Sequence, residues 1–299
     1  MDPRGAMHKL ASTSEVFDPS IAESFQRIAL VGAIFIAIDS LVTYSSIKRW
    51  IRREWAKLAA PGVPKEDIEK AVPQIAMRIV GMIHILIQIP QAAMVLLDPE
   101  LQQDRLYSKN LLSWRLVTTT AGYFAYDLYV HTARFEFLPS LVHAGAALTV
   151  FLSGIYCGIL HYYGGLFLLW ECSTPFVFVR WGLHALGRAD TKLYLYNGLT
   201  MMAVFFICRN VMGVGMSWDF WKVSSAELAH PRPGGVPPLV LWVIRLLNLV
   251  FNFLNLFWFS KMLKGAIKVL TKGKQVLPVE PTAEAQVALT ENGRKKHEE

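Results

Sequence analysis

Residues 238–260 read PLVLWVIRLLNLVFNFLNLFWFS. A helix that crosses the hydrocarbon core of a bilayer needs about 20 mostly apolar residues. This stretch has that length and one charged residue, Arg245. Its polar residues are ordered: Arg245, Asn248, Asn252 and Asn255 are spaced three, four and three apart. On a helix that spacing makes one continuous stripe, and Leu, Phe and Trp occupy the other faces. A polar stripe on a lipid-crossing helix must face its neighbours or a wet cavity. The segment therefore belongs to a bundle, and the stripe serves either interhelical hydrogen bonding or a site.

Six further apolar runs precede it, at 28–47, 73–97, 112–131, 139–157, 161–181 and 193–216, with 112–131 the least apolar. The expected fold is all-α: a polytopic transmembrane helix bundle of about seven spans. Composition agrees, with 53% apolar residues, 18% charged residues and a mean hydropathy of +0.33. Soluble domains carry about 25% charged residues.

Charge sets the orientation. Lys48, Arg49, Arg52, Arg53, Lys57, Lys65 and Lys70 follow the first run, and Lys261, Lys264, Lys268, Lys272 and Lys274 follow the last. Seven spans put both basic regions on one side, which the positive-inside rule makes cytosolic. The chain then divides into a lumenal segment (1–27), the first span with a basic cytosolic loop (28–72), a six-span domain (73–265) and a polar cytosolic tail (266–299). The net charge of +7 belongs to these topogenic positions, so nucleic acid is not the expected partner. Cys157, Cys172 and Cys208 all fall in apolar runs and imply no disulfide framework. The first 20 residues lack an apolar h-region, so export falls to the first span itself. The ending Lys295-Lys296-His297-Glu298-Glu299 is similar to a dilysine retrieval signal, with His297 in a lysine position. No internal repeat, nucleotide loop or zinc-spacing cluster is present, and neither metal nor cofactor is expected.

Ionisable residues within spans are expensive and mark functional candidates. They are Asp39, Arg78, His84, Asp127, His143, Glu171, Arg209 and Arg245. Asp39 has no evident companion. Pro175 lacks an N–H, so the carbonyl of Glu171, four residues earlier, is expected to lose its helical partner, with the Ser173 and Thr174 hydroxyls beside it. At a rise of 1.5 Å per residue, His143 and Asp127 lie about 6 Å inside the cytosolic face, and Glu171 and Arg78 about 9–15 Å inside it. A histidine at the depth of two carboxylates suits a general base. The candidate catalytic residues are accordingly His143, Asp127 and Glu171.

These positions also carry a resemblance. Arg78-x-x-Gly81-x-x-His84 is similar to the Arg-x-x-Ser-x-x-His of the TLC (TRAM, Lag, CLN) family, with glycine replacing serine. Gly122-Tyr123-Phe124-Ala125-Tyr126-Asp127 is similar to that family's Gly-Tyr-Phe-x-x-Asp. Glu171-x-Ser173-Thr174-Pro175-Phe176 resembles its non-ceramide-synthase branches, and Asn255-x-x-Trp258-Phe259 is also family-like. The resemblance covers about 73–265. It implies a lipid-binding cavity involving Arg78, His84, Tyr123, Ser173, Arg245, Asn248, Asn252 and Asn255. In the ceramide-synthase branch a His-His pair serves amide formation; here the matching place reads Val142-His143, and the extended Lag motif is absent.

The first functional expectation is a multi-pass endoplasmic-reticulum membrane protein of lipid homeostasis, binding, sensing or trafficking membrane lipid. The second is an acyl-CoA-dependent sphingoid-base N-acyltransferase, ceramide-synthase-like, with acyl-CoA as substrate and His143 as base. The third is a channel or transporter lined by the stripe at 245–255. A sphingolipid is a candidate ligand, and a homo-oligomer is compatible with the sequence.

Overall fold

A computed structural model of the protein describes residues 17–134 and 138–271. The dilysine-like ending and the first 16 residues lie outside the described residues. Among those described, every regular element is helical: α1 (Ile21–Tyr44), α2 (Ser46–Leu58), α3 (Lys65–Leu97), α4 (Pro99–Gln103), α5 (Leu111–Arg134), α6 (Leu138–Cys157), α7 (His161–Leu168), a 3₁₀ turn (Leu169–Ser173), α8 (Thr174–Ala185), α9 (Lys192–Phe205), a π turn (Phe206–Val211), α10 (Met212–Ala229) and α11 (Pro238–Thr271).

Local chemistry fixes the ends. Ser20 and Glu23 form a reciprocal capping box at the start of α1, which satisfies two backbone donors that a helix terminus leaves over. Ser45, in an extended conformation, ends α1 and caps α2 through its hydroxyl. Asn110 and Ser113 exchange hydrogen bonds of 3.0 Å at the start of α5.

Five helical segments are long and apolar enough to cross a bilayer: α1, α3, α6, the continuous α9–π–α10 rod and α11. Two more rods run beside them. One is α5, whose Ser113, Thr118, Thr120 and Asp127 face inward and lower its hydropathy. The other is the α7–3₁₀–α8 rod, broken near its middle. This rod lies antiparallel to α3, with Val95 near Gly165 at one end and Arg78 stacked on Trp181 at the other. Seven rods thus pack side by side, five of them meeting the length and hydropathy of a span.

α1 and α5 run in the same direction. Ser24 accepts from Trp114 (2.9 Å), Arg27 donates to Thr118 (3.0 Å), and Asp39 meets Tyr126 and Arg134 farther along. Gly122 makes that approach possible, because a Cβ there would meet Val31 at 2.8 Å; small residues let membrane helices close up in this way. Asp39 is therefore not without companions, as the sequence suggested. Tyr126 donates to it at 2.8 Å, Arg134 at 2.6 Å and Thr43 at 3.4 Å.

Following the rods end to end places α2, the start of α3 and the end of α11 together. Both basic regions share one end of the bundle, as seven spans require. The opposite end is tied by ion pairs: Arg105 to Asp219 (2.9 Å), Arg232 to Glu227 (3.2 Å) and Arg232 to Asp104. The largest apolar core cluster, including Leu106, Leu116, Ile159, Tyr163, Phe220 and Leu241, sits toward that opposite end.

Candidate functional site

The site forms where two rods lose their regular helix at the same level. Pro175 occupies the first turn of α8, and the chain before it tightens into the 3₁₀ turn. The expected free carbonyl of Glu171 does not result, because the N–H of Thr174 donates to it. A 3₁₀ bond reaches three residues instead of four and so recovers an acceptor that proline would orphan. Facing this turn is the π turn at Phe206–Val211, whose extra residue presents Arg209 to it.

Arg209, 6% exposed, organises the layer. Its Nε donates to the Trp170 carbonyl (2.9 Å) and the Ser173 hydroxyl (3.0 Å). One terminal nitrogen reaches the Glu171 carboxylate (3.3 Å) and Thr174 Oγ1 (3.1 Å), and the other reaches Asn255 Oδ1 (3.4 Å). Thr174 Oγ1 in turn donates to the second oxygen of Glu171 at 2.6 Å. Arg209 was visible as an ionisable residue inside a span, but its role depends on the π turn, which no residue spacing announces.

Glu171 keeps 16% of its side chain exposed. It lines a slot shared with His143, Trp170, Asn248 and His161, whose remaining walls are apolar, among them Phe124, Val150, Phe151, Phe220, Ile244 and Phe251. The slot is narrow, with about 80 Å³ of room for the centres of water-sized spheres. Along α6 its wall runs from His143 to Ile155, a rise of about 18 Å at 1.5 Å per residue. His143 and Glu171 mark one end, and His161, which contacts Ser113 at 3.1 Å, marks the other. His143 is ringed by Phe124, Phe251 and Trp258 at centroid distances of 5.6–5.8 Å. Val142, the position that carries the first histidine of the ceramide-synthase pair, is 39% exposed. Neighbours on a helix diverge by about 100°, so residue 142 faces away from the wall that 143 lines.

The other expected residues distribute around this layer. His84 stacks on Tyr123 with centroids 3.9 Å apart and planes 8° from parallel. Gly81 opens that space, since a Cβ there would meet Phe178 at 2.9 Å and the Tyr123 hydroxyl at 3.3 Å. Arg78 stacks on Trp181 (3.8 Å) and donates to Gln74. Asp127 lies one turn before His131, 3.6 Å from its Nε2, while it is Glu171 that shares the slot with His143. Arg245 donates to Ser224 (2.9 Å), Ser225 and the Trp221 carbonyl (3.0 Å). Asn248 bonds Trp221 and Ser217, and Asn252 bonds Ser217 and the Asn248 carbonyl. Most of the α11 stripe therefore seams α11 to α10; Asn248 also lines the slot and Asn255 reaches Arg209.

Several buried polar atoms at the level of the break have no hydrogen-bond partner among the described residues: both ring nitrogens of His84, His143 Nδ1, Trp170 Nε1 and Asn255 Nδ2. Buried polar groups are otherwise almost always paired. No group of three metal-ligating side chains occurs among the described residues.

Comparison with known proteins places this arrangement. Residues 74–264 match the TLC domain family (TRAM, LAG1 and CLN8). A TLC domain-containing protein of Schizosaccharomyces pombe is 28% identical over 262 residues, covering 86% of this chain and 84% of its own length. Human TLC domain-containing protein 4 is 26% identical, with 81% of this chain and 92% of its own length covered. Protein CLN8 of Canis lupus familiaris is 30% identical over 53% of this chain and 56% of its own length. None of these three is named a ceramide synthase.

Proposed function

Because the chain belongs to the TLC domain family, a family of multi-pass membrane proteins, we propose that it binds a membrane lipid in the slot, one acyl chain along the apolar walls and the polar head at the His143–Glu171–Arg209 layer. The observation that carries this reading is the slot's make-up: mostly apolar walls along about 18 Å of α6, with the unpartnered His143 Nδ1 and Trp170 Nε1 among its lining residues beside Glu171. Burying a polar donor without a partner costs roughly 1–3 kcal/mol, which a lipid head that accepts hydrogen bonds would relieve. The role is one of lipid homeostasis in the endoplasmic reticulum, with the basic end cytosolic and no cofactor required.

The shared wall of His143 and Glu171 supports a second reading, acyl-CoA-dependent N-acylation of a sphingoid base, with Glu171 holding the imidazole and His143 taking the amine proton. The outward-facing Val142 favours binding over catalysis. The hydrogen bonds of Arg245 and Asn252 to α10 favour binding over transport, because those side chains are occupied in a helix seam.

The test is to purify the chain, identify retained lipid by native mass spectrometry, and compare Val150→Trp, which fills the slot. Retention is expected to vanish in the variant while its melting temperature holds. Equal lipid retention in both proteins refutes the slot as the site. Offering acyl-CoA and a sphingoid base then separates the readings: amide formation abolished by His143→Ala supports the transferase.

A further inference from the structure

α2 is unlike the spans around it. Its sequence SIKRWIRREWAKL is amphipathic, with Ile51 buried against Val42, Ala71, Ile75 and Ala76, and Trp55 packed on Trp181. α3 is 33 residues long, about 50 Å at 1.5 Å per residue, against a hydrocarbon core of about 30 Å. The excess leaves room for its polar first turns, with Lys65, Glu66, Asp67, Glu69 and Lys70, to extend past the core at the basic end, and α2 packs beside them. Between the two helices lies an open cleft lined by Arg49, Trp50, Arg52 and Arg53 of α2 and by Lys65 and Glu69 of α3. Four cations meet one carboxylate. Arg52 is held by Glu69 and Arg53 by Glu54. The side chains of Arg49 and Lys65 form no hydrogen bond or ion pair among the described residues. Trp50 is 56% exposed on the same wall.

Topogenic charge requires only that basic residues lie on one side of the membrane. It does not require an unpaired guanidinium and an unpaired ammonium on opposite walls of one cleft beside an exposed indole. We propose that this cleft binds the headgroup of an anionic lipid bearing a terminal phosphomonoester, at the cytosolic face and separate from the slot. A guanidinium binds two phosphate oxygens at once, and lysine supplies a point charge. A phosphomonoester carries about −1.5 to −2 charges near neutral pH, which matches two free cations better than a singly charged phosphodiester does. Trp50 is an interfacial side chain that prefers headgroup level, so the ligand is a lipid of the adjoining leaflet. This site stands whatever fills the slot.

The test reconstitutes the full chain in phosphatidylcholine nanodiscs holding equal small fractions of phosphatidic acid and phosphatidylserine, and counts retained lipids by native mass spectrometry. Phosphatidic acid is expected to be enriched over both other lipids. Arg49→Gln/Lys65→Gln should lower that enrichment about thirty-fold, the loss of two basic contacts near a membrane surface. Lys192→Gln/Lys264→Gln removes the same charge from the same end outside the cleft and should leave the enrichment intact. Equal losses in the two variants, or equal retention of phosphatidylserine, would overturn the cleft in favour of a diffuse basic surface. Displacement of the lipid by comparable concentrations of inorganic phosphate or coenzyme A would overturn the assignment to a lipid. A melting temperature shared by all variants shows that the differences are those of binding.

Discussion

Two regions of this bundle bury polar side chains, and they do so differently. Along the α10–α11 seam, Arg245, Asn248 and Asn252 sit on regular helix and bond to Ser217, Trp221, Ser224 and Ser225. At the layer where the 3₁₀ and π turns meet, Arg209 and Glu171 pair, yet His143 Nδ1, Trp170 Nε1 and Asn255 Nδ2 are left over. In the first region the protein completes its own hydrogen bonding, so the polar residues act as glue. In the second it stops short, and the slot opens beside the deficit. An intramembrane polar residue is thus judged by whether neighbouring helices exhaust its bonding capacity.

The sharpest way to break this contrast is Arg209→Met. It leaves the Glu171 carboxylate unpaired within the bundle and should destabilise the protein by about 3 kcal/mol, read as a lowered melting temperature in detergent. Adding Glu171→Gln should return a substantial part of that loss, because the pair is coupled; additive losses would show that the two residues do not act together. Glu171→Gln alone keeps the side-chain volume and an acceptor for Arg209, and should weaken lipid retention about tenfold through loss of a charge-assisted contact; it also leaves the Arg209 charge uncompensated, so a lowered melting temperature accompanies it. In the seam, Asn252→Leu should cost about 0.6 kcal/mol and leave lipid retention unchanged. Altered retention there would dissolve the distinction between seam and site.

The smallest effect is expected outside the membrane, at Asp104. Burial raises its carboxyl pKa, but the Arg232 guanidinium and the Tyr107 N–H outweigh that and hold it below its usual value of 3.8. A depressed folded-state pKa stabilises above pH 3.8 and is lost as the pH falls through the folded value. The pair is half exposed, so screening limits its worth to under about 1 kcal/mol. The melting temperature of Asp104→Asn should lie slightly below that of the wild-type chain at neutral pH and converge with it below pH 3.8.

Much of this was legible in the residues. Length and hydropathy exposed the rods, and the expense of buried charge singled out His143, Glu171 and His84. What escaped had definite causes. Asp39 looked solitary because its partners Tyr126 and Arg134 lie about 90 residues away on a rod running the same way, an adjacency that single-span periodicity does not encode. α5 missed the hydropathy of a span because Ser113, Thr118, Thr120 and Asp127 turn inward. The proline was read correctly as a break, but not the 3₁₀ turn that satisfies the Glu171 carbonyl. Arg209 stayed without a role because a π turn leaves no pattern in residue spacing.

That π turn makes one helix face two ways. At 3.6 residues per turn, inserting one residue rotates everything beyond it by about 100°. Upstream of the insertion Asn197 bonds to the Phe176 carbonyl of α8, within it Arg209 meets Glu171, and beyond it Ser217 and Ser224 address α11. Deleting a single residue from 206–211 would straighten the rod and put its two halves out of phase, so that whichever half kept its old neighbours would turn the other away from its own. The extra residue is a phase adjuster, and the slot exists at the level where the adjustment is made.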